Sequence, residues 1–170
     1  TRGGTSRIWD TATSAELMRL EDEKAGDITS LIYSPDGSRL VSYGIDKIIR
    51  VWDVASGREI LAIENEGQAG GGIAISPNGK LIASGGSGEI RLWDAMNGRE
   101  LMTLRGHNGH VGAVAFSPVD DRLVSCSYDD DTVRVWDTTT GLELMTLVGE
   151  DFFDVAFSPD GSTLAAACEG

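Results

Sequence analysis

The chain has 170 residues, 41% of them hydrophobic, and a formal net charge of −13. This length and composition suit an ordinary folded core rather than a disordered tail. The acidic balance argues against a nucleic-acid partner, because nucleic-acid binders usually carry a basic face. No apolar run approaches the roughly 18–20 residues that span a bilayer, so no membrane partner is expected. No secretory leader opens the chain, but a start at Thr1 leaves the compartment open, with the cytoplasm favoured.

In chain order, the predicted elements are short strands separated by Pro and Gly turns. Segments such as SRLVSYG, KIIRVWD and GREILAI are β-rich, and no stretch has the pattern of an amphipathic helix. Residues 1–20 supply two strands of a first set, residues about 28–63, 70–104 and 111–147 supply four each, and residues 152–167 supply two of a last set. Each full set predicts a four-stranded antiparallel meander.

Two sequence markers recur with the same period. The Trp-Asp pair is spaced 41 or 43 residues apart, at Trp9-Asp10, Trp52-Asp53, Trp93-Asp94 and Trp136-Asp137. The Ser-Pro pair is spaced 41 or 42 residues apart, beginning at Ser34, Ser76, Ser117 and Ser158. Two independent markers with one period indicate repeats. Because one small sheet cannot bury both of its faces, we expect like sheets to pack on one another around an axis.

The third full set resembles the WD-repeat β-propeller family. Its sequence over residues 104–137 is LRGHNGHVGAVAFSPVDDRLVSCSYDDDTVRVWD, with Gly-His, Ser-Pro, turn Asp and Trp-Asp in the family's order. The likeness covers nearly the whole chain. It implies an all-β fold of four-stranded antiparallel blades arranged radially, in a partial ring or four-repeat arc. It also implies a buried hydrogen-bonded tetrad, here His107, Ser125, Asp130 and Trp136.

The acidic run at residues 129–131 has two interpretations. Three acids could hold a metal ion, but consecutive residues of an extended turn cannot all face one ion, and no His partner follows at ligand spacing. We interpret Asp130 as the tetrad acid, because a buried carboxylate is stable only when N–H groups pair with it. No metal site is predicted.

Other copies lack parts of the tetrad and are expected to depend more on apolar packing. The corresponding positions are Ser42, Asp46 and Lys24 in the copy ending at Trp52, Ser84 and Glu66 in the copy ending at Trp93, and Ala166 in the last copy.

Each end of the chain supplies half a blade. One expectation is a segment of a longer propeller, most often seven-bladed in this family. The alternative is that the halves meet, within a four-bladed ring or between two chains as a self-assembling half-propeller. Unpaired strand edges in an open arc would favour aggregation. Other parts of a longer chain and a homo-oligomer are therefore both expected partners.

No catalytic constellation is predicted. His107 and His110 form a His-x-x-His pair, but no third ligand completes a zinc site. The glycine-rich segment at 85–90 lacks the helix that follows a phosphate-binding loop. We therefore predict no cofactor and no enzyme. A quinone-binding or enzymatic propeller is the less favoured alternative, which an absorbance spectrum would reveal. The two cysteines, Cys126 and Cys168, predict no disulfide framework, and we expect both to be buried in strands.

The predicted loops at one end of the blades collect about half of the 27 acidic residues. A solvated rim is one interpretation, and a docking surface for a basic protein or peptide is the other. The predicted function is a non-catalytic protein–protein interaction scaffold. Its candidate contact residues are Glu66, His110, Tyr128, Asp129, Asp131, Asp151, Phe152 and Phe153. One of the two phenylalanines is expected to face outward. The arginines two positions before each Trp-Asp pair are expected to pair with acids on the blade.

Overall fold

The computed structural model describes residues 4–22, 26–65 and 71–169. All regular structure in these ranges is β-strand, and the strand pairs are antiparallel. The all-β prediction is confirmed. Within the same ranges no helix is long and apolar enough to cross a bilayer. The chain divides into two compact units, residues 1–70 and 71–170, which we take one at a time.

The first unit contains a hairpin and a four-stranded sheet. The hairpin consists of β1 (Gly4–Trp9) and β2 (Glu16–Asp22), and the sheet consists, in sequential order, of β3 (Ile28–Tyr33), β4 (Arg39–Gly44), β5 (Ile48–Asp53) and β6 (Glu59–Glu64). Leu20 of the hairpin forms a core cluster with Leu40 and Trp52 of the sheet. Hairpin and sheet are therefore held together by apolar burial, with the tryptophan at the contact.

The second unit contains nine strands. They are β7 (Ile73–Ile75), β8 (Leu81–Gly85), β9 (Ser87–Asp94), β10 (Glu100–Phe116), β11 (Arg122–Ser127), β12 (Thr132–Asp137), β13 (Glu143–Val148), β14 (Phe152–Phe157) and β15 (Leu164–Cys168). Strands β7 to β13 form one seven-stranded sheet in sequential order, and β14 and β15 form a hairpin.

Strand β10 belongs to two meanders at once. Its first part pairs with β9, and residues 111–116 pair with β11. The register shifts between Arg105 and His110, where the strand passes from one pairing to the other. No break therefore separates the predicted blades 70–104 and 111–147, and their boundaries stay a proposal.

Burial follows the position of a strand in its meander. The middle strand β11 is buried along almost its whole length, because both of its faces are covered. Cys126 lies there, and burial raises the pKa of its thiol to about 11. By contrast, every residue of the outer strand β13 is exposed.

The expectation that both cysteines are buried is wrong for Cys168, which is exposed. This residue ends β15, the second strand of a two-stranded hairpin. A middle strand has neighbours on both sides, whereas β15 is paired on one side only. The apolar run that contains Cys168 is therefore not enclosed as the run around Cys126 is.

Candidate functional site

Four side chains of the second unit form a continuous hydrogen-bonded chain. Trp136 Nε1 donates to Ser125 Oγ at 2.8 Å, and Ser125 Oγ lies 2.7 Å from His107 Nε2. His107 Nδ1 lies 2.9 Å from Asp130 Oδ2. Because an ionised carboxylate can only accept, Nδ1–H donates to Asp130 and Nε2 accepts from the Ser125 hydroxyl. The structure thus brings together the four residues of the predicted tetrad; that they stabilise the blade stays a prediction.

Burial and hydrogen bonding set the charge state of this chain. Burial lowers the pKa of His107 below its usual value, although the neighbouring Asp130 acts in the opposite direction. For Asp130, burial acts to raise the pKa, but hydrogen bonds from Thr132, the Asn108 N–H and His107 outweigh it and lower the pKa. The arrangement is therefore a neutral imidazole held beside a carboxylate.

The turn between β11 and β12 positions Asp130. Thr132 donates to Asp130 Oδ1 from its hydroxyl at 2.6 Å, and the Asn108 N–H donates to Oδ2 at 2.7 Å. The adjacent Asp129 accepts from the His110 N–H at 2.7 Å. At position 109 a Cβ atom would lie 2.2 Å from Asp129 Cβ, so only glycine allows the two loops to approach this closely.

The tryptophans of two other copies also donate to the serine of their copy. Trp52 donates to Ser42 and Trp93 donates to Ser84, both at 2.9 Å. Trp9, on the hairpin of the first unit, is 52% exposed. The positions predicted to replace histidine, Lys24 and Glu66, lie outside the described residues.

Sequence reasoning missed a buried acidic group in the copy ending at Trp93. Glu89 is 9% exposed, and its carboxylate lies 2.7 Å from Arg91 Nη2 and 2.5 Å from Arg105 Nη1. It stands four residues before Trp93, as Thr132 stands four residues before Trp136. This shared spacing from the tryptophan is the sequence signal that could have identified position 89 as buried. Here ion pairs occupy the end of the blade where the other copy has His107 and Asp130.

The aspartates of the Trp-Asp pairs serve the turns that follow them. In each copy the carboxylate accepts from backbone N–H groups two or three residues ahead; the acceptors are Asp10, Asp53, Asp94 and Asp137. Such bonds favour a tight hairpin turn. These four residues are therefore occupied locally.

The arginines before the Trp-Asp pairs are paired with acids, as predicted. Each lies within 4 Å of a glutamate nine residues further on, in the pairs Arg7–Glu16, Arg50–Glu59, Arg91–Glu100 and Arg134–Glu143. These ion pairs join the third and fourth strands of their meanders.

Several candidate contact residues lie on two loops that touch each other. Gly149 N–H donates to the Asp131 carbonyl at 3.0 Å, and Asp151 N–H donates to Asp131 Oδ1 at 3.1 Å. Tyr128 and Phe153 are each 52% exposed. Phe152 instead packs against a core cluster, so one phenylalanine faces outward, as expected. Glu66 lies outside the described residues.

Metal ligation is not indicated in the ranges that the structure describes. No group of three or more His, Cys, Asp or Glu side chains there is placed to hold an ion. The carboxylates of Asp129 and Asp130 are engaged by the loop bearing His107, in line with their interpretation as turn residues.

The sequence pattern of the family described as "WD domain, G-beta repeat" matches residues 15–53, 70–94 and 98–137. The chain belongs to the WD-repeat family. A protein-binding scaffold role is typical of this family. The matched segments run through the Trp-Asp pairs at Trp52, Trp93 and Trp136, which fits the period found in the sequence.

Curated WD-repeat relatives match limited parts of the chain. A guanine nucleotide-binding protein subunit beta of Arabidopsis thaliana is 28% identical over 85 residues, which are 48% of this chain and 22% of that protein. Cell division cycle 20.1 of the same plant, described as a cofactor of the APC complex, is 32% identical over 85 residues, 48% of this chain and 18% of that protein. The chain thus spans less than a quarter of the length of either relative.

Solved WD-repeat structures match more of the chain. The structure of U3-55K is similar with a TM-score of 0.75 and 30% identity, over 80% of this chain and 44% of that one. The crystal structure of the RRP9 WD40 repeats gives a TM-score of 0.74 and 31% identity, over 80% and 43%. The β-propeller fold class predicted from the sequence is confirmed by these likenesses.

Proposed function

We propose that this chain is a non-catalytic interaction scaffold that binds a basic protein segment at the loops around Tyr128. We call this surface the tyrosine face; it comprises Tyr128, Asp131, Asp151 and Glu169, and the exposed Phe153 is a further candidate contact residue. Membership of the WD-repeat family supports the general role. The observation that carries the proposal is an exposed aromatic residue surrounded by carboxylates.

The charge around Tyr128 supports a basic partner. The carboxylates of Asp151, Glu169 and Asp131 raise the pKa of the Tyr128 hydroxyl, with Asp151 contributing most. A tyrosine ring offers apolar area and attracts a cation over its face, while carboxylates attract the same cation over a longer range. Lysine and arginine side chains fit both features.

Hydrogen bonds between the loops of the tyrosine face fix this surface before a partner binds. The backbone bonds from Gly149 and Asp151 to Asp131 tie the two loops together. Behind them, the bonds to Asp129 and Asp130 fix the turn that carries Tyr128. A surface ordered before binding loses less conformational entropy when a partner docks.

The test uses the full-length protein and a phage-displayed library of random 12-residue peptides. We expect selected peptides to be enriched in Lys and Arg, and Tyr128→Ala together with Asp151→Asn to weaken a selected peptide by about tenfold or more. Affinity should also fall as salt rises from about 0.05 to 0.5 M, because exposed charges are screened.

Matched control variants are Met96→Ala, which removes a side chain that is 79% exposed, and Glu64→Gln, which removes one exposed carboxylate of the other unit. Both should bind the peptide as the unmodified protein does. Selected peptides without basic residues, or affinities unchanged by the paired substitution at Tyr128 and Asp151, would contradict the proposal.

A further inference from the structure

Two neighbouring turns of the second unit enclose a groove of about 180 Å3. One turn joins β7 to β8 and the other joins β10 to β11. The apolar part of the lining is Pro77, Leu81, Phe116, Pro118 and Val119, and the polar part is Ser76, Asn78, Asp120, Asp121 and Thr138. The turn at residues 117–121 precedes β11 and Tyr128 follows it, so this side of the groove lies at the opposite end of that strand from Tyr128.

A turn of reduced length borders the groove. From the Ser of Ser-Pro to the following Leu, Ser76–Leu81 is one residue shorter than Ser34–Leu40, Ser117–Leu123 and Ser158–Leu164. Ser76 closes the short turn by accepting from the Leu81 N–H at 2.9 Å. A turn with one residue fewer reaches less far over its neighbour, and we attribute the open space to this difference.

The next pair of turns joins β10 to β11 and β14 to β15. Between these two turns, the position that corresponds to the groove is occupied by Arg122. The Arg122 guanidinium carbon lies 5.3 Å from the centroid of the Phe157 ring, and Nη2 donates to the Gly161 carbonyl at 2.8 Å. Phe157 precedes the Ser-Pro of its turn as Phe116 precedes its own. The ring of Phe116 is therefore the counterpart of a ring that is already covered by a guanidinium.

Lys80 is the counterpart of Arg122, because each directly precedes the leucine that follows its turn. In the described part of the chain, the Lys80 ammonium has no hydrogen bond, ion pair or ring contact, and Lys80 does not line the groove. The chain thus has two equivalent sites between neighbouring turns. Arg122 fills the site at Phe157, whereas no side chain of the described residues fills the site at Phe116.

The groove beside Phe116 also contains the carboxylate of Asp121, which has no partner among the described residues. The Asp121 backbone carbonyl accepts from Thr138, from the N–H at 2.8 Å and from the hydroxyl at 2.9 Å. Among the described residues the Asp121 side chain forms no hydrogen bond or ion pair, whereas Asp120 pairs with Arg122 at 2.8 Å. An aromatic ring and a free anion in one small groove are complementary to a planar cation.

We propose that this groove binds an arginine side chain of a partner protein, with the guanidinium stacked on Phe116 and paired with Asp121. Arginine is favoured over lysine because a guanidinium stacks on a ring and presents several donors in one plane. Arg122 on Phe157 is the internal example of this geometry. The site is separate from the tyrosine face and does not depend on it.

The direct test is ligand-observed saturation-transfer NMR on the full-length protein with three probes. N-acetyl-argininamide should bind at least about threefold more tightly than N-acetyl-citrullinamide, which has the same shape without the charge, and than N-acetyl-lysinamide. Asp121→Asn should remove that difference, while Glu64→Gln should preserve it. Equal binding of the arginine and citrulline probes would overturn the proposal.

A second variant closes the groove from within. Inserting a serine before Lys80 and adding Lys80→Arg gives this turn the Gly-Ser-Arg-Leu sequence of residues 37–40. The new arginine should cover Phe116 and abolish binding of N-acetyl-argininamide, with an unchanged thermal unfolding profile. Undiminished binding in a folded variant would overturn the proposal. If the variant does not fold, the result with Asp121→Asn decides.

Discussion

His107 has a fully enclosed side chain, yet both of its ring nitrogens have hydrogen-bond partners. A buried, hydrogen-bonded group of this kind adds little to the free energy of unfolding. Loss of one partner lowers that free energy much more, because the remaining polar atom stays buried without a hydrogen bond. The chain from Trp136 to Asp130 therefore specifies one arrangement of the loop bearing His107 and the turn bearing Asp130.

Removing His107 or Asp130 from this hydrogen-bonded chain should destabilise the second unit. We expect His107→Ala or Asp130→Ala to lower the free energy of unfolding by about 1–3 kcal/mol, because the Ser125 hydroxyl loses its acceptor in the first variant and the His107 Nδ1–H loses its carboxylate in the second. Urea unfolding followed by tryptophan fluorescence measures the change. Asn108→Ala is the matched control and should change the free energy by less than about 0.5 kcal/mol, since its side chain is exposed and its backbone N–H still donates to Asp130. Similar losses in the control and in His107→Ala would contradict the stabilising role.

The lowered pKa of His107 gives stability a pH dependence with a defined sign. As pH falls below about 6.5, its ordinary value, the unfolded chain takes up a proton that the folded chain does not bind. The free energy of unfolding should therefore be fully retained above this value and fall below it, by at most about 1.4 kcal/mol per pH unit. Urea titrations between pH 7.5 and 5 measure this slope. His107→Gln should flatten it, and an equal slope in that variant would assign the effect to other groups.

At the scale of strands, the continuous β10 links two meanders through one backbone. The outer strand of one meander becomes the inner strand of the next, and the tetrad histidine lies between its two pairing regions. A change at residues 105–110, where the register of β10 shifts, therefore acts on both pairings. The hairpins at the far edge of each meander are different, because their turns depend on local bonds to the Trp-Asp carboxylate.

Gly98 is expected to be required in one of these hairpins. Its φ is 72°, a conformation that costs other residues about 1–2 kcal/mol. We expect Gly98→Ala to lower the free energy of unfolding by about that amount, as measured by urea unfolding. Gly112→Ala is the control, because a Cβ there meets no atom within 4 Å and its φ is not positive. Equal effects of the two substitutions would exclude backbone strain as the cause.

For the molecule as a whole, several features within one repeat were predictable, although the buried Glu89 was not, whereas features between repeats were not predictable. The tetrad positions were implied by the resemblance to the WD-repeat family, and the match could be made because His107, Ser125 and Trp136 belong to one copy. Exposure of Cys168 could not be inferred, since an apolar strand carries no sign of which neighbours it has. The groove beside Phe116 likewise depends on the lengths of two turns considered together.

Charge is also a property of the whole chain. A net charge of −13 was visible at once, but the sequence alone left open whether the acids form a solvated rim or a surface for a partner. The structure adds that Asp129 and Asp130 accept hydrogen bonds from residues 108 and 110, whereas the carboxylates of Asp151, Glu169 and Asp131 raise the pKa of the exposed Tyr128. The position of each acidic residue, rather than the net charge of the chain, therefore distinguishes these two sets of acids.

The four arginine–glutamate pairs have a consequence for how such a chain can lengthen. Both partners of each pair lie nine residues apart, inside one copy. A duplicated DNA segment of one period would therefore encode both residues of the ion pair, and no compensating mutation elsewhere would be needed. Growth by whole units would therefore leave each of these ion pairs intact.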